Sequence, residues 1–85
     1  MTVHELKCMP PHFQHVWDDL KLFEVRKDDR GFQPGDQLLL REWADATGYS
    51  GRMARRSIIY VLRDGTRFGL QDGYVVLGLA PPTAQ

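Results

Sequence analysis

KLFEVRKDDRGFQPGD, residues 21–36, crowds Lys21, Glu24, Arg26, Lys27, Asp28, Asp29 and Arg30 into one short segment, broken only by Leu22, Phe23 and Val25. Read as a strand over 22–27, its side chains alternate between two faces. Phe23 and Val25 fall on one face, predicted to point to the core, while Leu22, Glu24 and Arg26 share the other. Lys21 stands where the chain enters this strand and leans toward Glu24 and Arg26. A carboxylate flanked by two cations is well oriented to hydrogen-bond a polar ligand such as a base edge or a phosphate. A ladder of exposed ion pairs, each contributing little, is the other reading of the same residues. Pro34-Gly35-Asp36 then closes the segment with a turn signal, so the stretch reads as strand, loop and entry to another strand.

Working outward, VHELKC at 3–8 reads as a short strand that stops at Met9-Pro10-Pro11, because proline lacks the backbone donor and restricts the residue before it. From Pro11 the period changes. Phe13, Val16, Trp17 and Leu20 recur at helical spacing and predict a helix near 11–20 with these four on its core face. Downstream, 37–43, 56–62 and 74–79 are rich in branched and aromatic residues and read as strands. Asp45 to Gly51 reads as a longer hairpin, and Asp64-Gly65 and Asp72-Gly73 as tight turns. The sum is an α+β domain: a pseudo-barrel of five to six mostly antiparallel strands with one N-terminal helix. A single domain over 1–80 with a frayed tail at 81–85 accounts for the whole chain.

The 85 residues suffice for one modest core. Eleven basic and eleven acidic residues cancel, so any attraction to nucleic acid is local rather than a property of the whole molecule. The second half is mildly basic, with five Arg against three Asp from residue 43 onward. Cys8 is the sole cysteine, which excludes an internal disulfide and favours a reducing, cytoplasmic setting. It reads as a small buried apolar residue rather than a reactive thiol. No apolar run is long enough to span a membrane and no signal peptide is expected.

GYSGRMARR at 48–56 places Tyr49, Arg52, Arg55 and Arg56 in what reads as a flexible hairpin, able to touch phosphate while Tyr49 stacks on a base, or simply a solvated loop leading into a strand. Trp43 reads as partly buried and Trp17 as core. His4, Cys8, His12 and His15 tempt a zinc reading, but Pro10-Pro11 separates them and no paired Cys motif exists, so no metal and no cofactor is expected. His4 and Lys7 read instead as polar wall of a cleft beside the 22–27 strand.

Lys21, Glu24 and Arg26 resemble the signature of the ASCH domain, a branch of the PUA-like superfamily, whose usual form is Gly-x-Lys-x-x-Glu-x-Arg at the junction of first helix and following strand. HELKC at 4–8, FEVRKDDRGFQPGD at 23–36, LLLREW at 38–43, GYSGR at 48–52 and GYVVLGL at 73–79 are similar to a small, functionally uncharacterised bacterial and phage group within it. The usual Gly two residues before the Lys is Asp19 here, so the junction is expected to form without a positive-φ residue. The resemblance implies a small pseudo-barrel with RNA or a nucleotide-like ligand in a cleft between barrel and helix, lined by Lys21, Glu24 and Arg26. Asp29 and Arg30 follow the strand, Arg30 orienting Asp29 or meeting phosphate.

The expected RNA- or ligand-binding set is therefore Lys7, Lys21, Glu24, Arg26, Asp29, Arg30, Tyr49, Arg52 and Arg56. A related ASCH branch contains amidohydrolases of acylated cytidine, with a Thr three residues after the Lys, where this chain has Glu24. Glu24 cannot replace a hydroxyl as acyl acceptor, but beside Lys21 it can act as base on water, which makes Lys21 and Glu24 the catalytic candidates of a hydrolase alternative. A protein-interaction domain of phage or mobile-element origin is the third reading.

Overall fold

The computed structural model describes residues 1–81, so most of the tail expected to fray, 82–85, lies outside the described residues. Five strands, β1 (Val3–Cys8), β2 (Phe23–Lys27), β3 (Gln37–Ala44), β4 (Gly48–Leu62) and β5 (Tyr74–Leu79), accompany a short helix α1 (His12–Trp17) and a 3-10 turn at Gly65–Phe68. They form one sheet in the order β1-β3-β4-β5-β2. Only the β1–β3 pair is parallel; the other three are antiparallel. This is the α+β architecture the turn spacing and periodicity predict.

Alternation builds the core. His4, Leu6 and Cys8 of β1, Leu38 and Leu40 of β3, and Val75, Leu77 and Leu79 of β5 face inward with Ala54 and Ile58 of β4. Phe13 and Val16 of α1 and Phe32 of the β2–β3 loop close over them. Strand β4 pairs with β3 along its first part and with β5 along its last. A register shift between Ile58 and Tyr60 lies in its pairing with β5, the kind of irregularity that bends a strand.

Three expectations need correcting. The hairpin at 45–51 is only the turn at 45–47, because Ala44 already pairs with Gly48, so Tyr49, Arg52 and Arg56 sit on a strand rather than a flexible loop. The helix stops at Trp17, leaving Leu20 77% exposed and Trp17 44% exposed. It stops because Asp19 adopts φ 62 after the helix. Asp19 N–H donates to the Val16 carbonyl (3.0 Å) and Leu20 N–H to the His15 carbonyl (2.9 Å), the paired bonds of a Schellman ending. Asp is one of the few non-glycine residues that enters this region at modest cost, so this helix end also departs from expectation in having a positive-φ residue at the junction.

The third correction concerns β2, which faces opposite to expectation. Glu24 is 3% exposed, whereas Phe23 and Val25 are 46% and 42% exposed. Glu24 and Arg26 stand opposite the buried Leu77 and Val75, while Phe23 and Val25 stand opposite Gly78 and Val76 on the outer face, in register with Tyr60 and Leu62 beyond. The alternation holds and its phase is reversed: a strand apolar on one face does not turn that face inward when the charged face closes on its own counter-ions.

Strands β1 and β2 are the two sheet edges, and side chains bridge them. Arg26 Nη2 donates to the Lys7 carbonyl at 2.6 Å and Arg30 Nη1 to the Glu5 carbonyl at 3.1 Å. Leu79 N–H donates to the Leu22 carbonyl (3.0 Å) and Asp28 N–H to the Gly73 carbonyl (2.8 Å). Even-numbered residues of β2 therefore turn their backbone groups to β5, and Phe23 and Val25 turn theirs to the open edge.

Candidate functional site

That open edge forms one wall of a cleft of about 770 Å³, closed on the other side by Lys7–Met9 and the α1 face carrying His12 and His15. Lys21, Glu24 and Arg26 meet inside it. The Schellman turn delivers Lys21, and the inward phase of β2 delivers the other two. Arg26 holds Glu24 Oε2 from two nitrogens, Nε at 3.2 Å and Nη2 at 3.1 Å. Lys21 Nζ stands 3.4 Å from Glu24 Oε1 and 3.3 Å from His12 Nδ1. Glu24 Oε1 is buried without a hydrogen-bond partner.

The site is thus an oriented acceptor oxygen with an ammonium beside it, framed by apolar surface from Met9, Leu20, Phe23 and Val25. Lys7, Lys21 and Arg26 outnumber the single carboxylate, so the cleft carries positive charge in a chain whose total is zero. Cys8 also lines it, but burial, and secondarily the Glu24 charge, pushes its thiol up to about 11. It is protonated at neutral pH and is no nucleophile, because the thiolate is the reactive form.

A second, polar groove of about 350 Å³ adjoins the first and shares Lys7 and Arg26 with it. Glu5, Leu6, Arg30 and Tyr49 complete its lining. Arg41 lies over the Tyr49 ring at 3.9 Å and pairs with Glu5 at 3.1 Å. Lys7 Nζ lies 4.3 Å from the centroid of the half-buried Trp43.

The structure therefore brings Lys7, Lys21, Glu24, Arg26, Arg30 and Tyr49 to two adjoining grooves and leaves Asp29, Arg52 and Arg56 outside them. Asp29 is exposed, with Arg30 Nε 3.9 Å away. Arg52 donates to both Glu42 oxygens (3.0 and 2.9 Å) and to Gln14 (2.8 Å), over the Phe13 and Trp17 rings. That bond and the Ser50 hydroxyl lower the Glu42 carboxyl below its ordinary range, and Glu42 in turn raises Arg52. Arg56 Nη2 caps the helix end, donating to the Val16 carbonyl (2.9 Å) and to Asp19 (3.0 Å). Both arginines are engaged in holding α1 to the sheet.

His4 is no cleft wall. It is buried, edge-on to Phe32, with Nε2 2.9 Å from Asp36 Oδ2. The bond from His4, helped by backbone N–H groups of Thr2 and Gln33, lowers the Asp36 carboxyl. Among the described residues no three His, Cys, Asp or Glu side chains gather as a metal site. His12, His15, Met9 and Leu20 are cleft residues absent from the expected set. The i, i+3 spacing of the two histidines, on the helix face away from Phe13 and Val16, is the signal in the sequence that points to them.

A 56-residue segment is 36% identical to an uncharacterized 12.9 kDa protein in the GpA 3′ region of Escherichia phage P2, covering 66% of this chain and 50% of that protein. The aligned part thus spans about half the length of this curated relative. No helix among the described residues is long and apolar enough to cross a membrane. Residues 3–79 match the family described as Domain of unknown function (DUF3850), and the chain belongs to that family.

Proposed function

We propose that this domain is an ASCH-type, PUA-like module that binds RNA or a nucleotide-like ligand in the cleft of Lys21, Glu24 and Arg26, in a cytoplasmic setting. The observation that carries the reading is the meeting of Lys21, Glu24 and Arg26 on the wall of one cleft, where Glu24 Oε1 has the Lys21 ammonium 3.4 Å away and no hydrogen bond. Arg26 engages Oε2 from two nitrogens, while Oε1 keeps acceptor capacity beside a cation. A base edge complements this pair with an N–H for Oε1 and, beside it, a carbonyl or ring nitrogen for the Lys21 ammonium. A phosphate alone would set negative charge against the carboxylate, so the base is the group read by Glu24 and the phosphate lies toward Lys7 and Arg26. The backbone groups of Phe23 and Val25 on the open edge add further donors and acceptors, and the apolar wall suits a flat ring.

The test is Glu24→Gln. Arg26 pins an oxygen at the Oε2 position, so the amide NH2 takes the place of Oε1 and an acceptor becomes a donor facing Lys21 without change of shape. Calorimetric titration with the four ribonucleoside 5′-monophosphates and single-stranded RNA should show affinity falling about tenfold or more, by the ~1–3 kcal/mol that an unmatched buried polar group costs. Equal affinity of a folded Glu24→Gln protein, or no binding by wild type, would refute the reading.

The contact of Lys21 with both Glu24 and His12 favours hydrolysis as a second reading, with Glu24 as base toward water and Lys21 as the stabiliser of a developing oxyanion. Turnover of acylated nucleosides that disappears in Glu24→Gln is the result it requires.

A further inference from the structure

The cleft does not end at Arg26. Lys7 and Arg26 line both grooves, so anything that fills the two must cross these two cations. The second groove differs in character from the first. Its lining is polar, and Glu5, its only carboxylate, is already paired with Arg41; Arg26 is shared with Glu24 of the first groove, so Lys7 and Arg30, the latter with Asp29 3.9 Å from its Nε, are the cations that face a ligand here. Arg26 contacts the Lys7 carbonyl and Glu24 through Nε and Nη2, and Arg30 Nη1 donates to the Glu5 carbonyl, which fixes the guanidinium planes and leaves Nη1 of Arg26 and Nη2 of Arg30 to bind. Tyr49 is 45% exposed, and Arg41 lies over its ring, which holds it in place.

We propose that the protein takes a single-stranded oligonucleotide rather than a free mononucleotide. The nucleotide beside the cleft-bound one lies in the second groove, its phosphate on Lys7 and Arg30 and its base stacked on Tyr49. This rests on the cleft reading above. An apolar, acceptor-bearing cleft followed by two shared cations and then a held aromatic ring repeats the order base, phosphate, base along a strand. Stacking on Tyr49 needs an unpaired base, which excludes a duplex at this position. Two or three phosphate-facing cations make the salt dependence shallow, with log K falling by about 0.7 per contact per log unit of salt.

The experiment is calorimetric titration of wild type with the four ribonucleoside 5′-monophosphates and the four matching 5′-phosphorylated homotrinucleotides at two salt concentrations, with melting curves for every variant. The best trinucleotide is expected to bind about tenfold tighter than its own monophosphate, the gain that one stacked base supplies. Tyr49→Ala should abolish that gain and leave monophosphate affinity unchanged, whereas Tyr49→Phe should retain it, because the ring and not the hydroxyl stacks. Arg30→Gln should lower only trinucleotide affinity. Monophosphate and trinucleotide binding equally, or a gain that survives Tyr49→Ala, overturns the second groove while leaving the cleft reading intact. No binding of either ligand overturns both.

Discussion

Arg26 is the side chain on which cleft and fold both depend, and its removal gives a measurable cost. It makes two contacts to Glu24 Oε2 (3.2 and 3.1 Å) and one to the Lys7 carbonyl (2.6 Å) across the β1–β2 seam. Arg26→Ala leaves Oε2 of a carboxylate that is 3% exposed without a donor, with only Lys21 nearby. Two nitrogens on one oxygen count as about one charge-assisted bond, worth roughly 1.5–3 kcal/mol, and the exposed bond to Lys7 adds under about 1 kcal/mol. The sum is a loss of about 2–3 kcal/mol, which for a chain this small lowers Tm by roughly 10–20 °C. Urea unfolding monitored by tryptophan fluorescence gives the same quantity directly. In a double-mutant cycle, Glu24→Gln should recover part of the loss, because a neutral amide left without the guanidinium is cheaper than an unpaired carboxylate. Arg26→Ala within about 0.5 kcal/mol of wild type, or strictly additive with Glu24→Gln, would show that the guanidinium neither closes the seam nor anchors the carboxylate.

Phe32→Ala, at a side chain 1% exposed, should cost about 3–5 kcal/mol, and Phe23→Ala on the outer face of β2 less than half of that; urea midpoints for the two will rank them, and the reverse order would put β2 back in its expected phase. The Cys8 thiol, raised from 9.0 to about 11, leaves stability untouched at neutral pH; between those values the unfolded chain releases its proton and the native chain does not, so stability should fall by about 2–3 kcal/mol as pH rises through the window, and Cys8→Ala should flatten that limb. Asp36 titrates in the opposite sense: its lowered carboxyl stabilises the fold above the ordinary carboxylate range, a contribution lost as pH falls through the depressed value, so Asp36→Asn should be less stable than wild type at neutral pH and show a shallower acid limb in pH-dependent melting. Arg56→Met should lower stability by about 1–2 kcal/mol and fray α1, seen as faster amide exchange at Asp19 and Leu20.

Local chemistry wrote much of this protein into its sequence. The strands at 3–8, 37–43 and 74–79, the helix start after Pro11 and the turns at Pro34-Gly35-Asp36 and Asp72-Gly73 were legible because alternation, helical spacing and turn residues act over a few positions. So was the grouping of Glu24 and Arg26, whose spacing puts them on one side of a strand whichever way that strand faces, with Lys21 at the junction beside them. Which way it faces was decided elsewhere. Arg26 and Lys21 neutralise Glu24 at the wall of a cleft that exists only once β1, α1 and β2 come together, and this lets the charged face turn inward while Phe23 and Val25 join Tyr60 and Val76 outside. The same distant pairing assigns the arginines of β4. Arg52 and Arg56 read alike in sequence, yet Glu42, Gln14, Asp19 and the Val16 carbonyl claim both for holding the helix. Tyr49, near the start of β4, is brought beside Arg30 only by the pairing of β4 with β3 and β3 with β1. Residue type and spacing fixed which elements form; charge neutralisation between segments far apart in the chain decided which face is buried and which cations are committed to holding the fold.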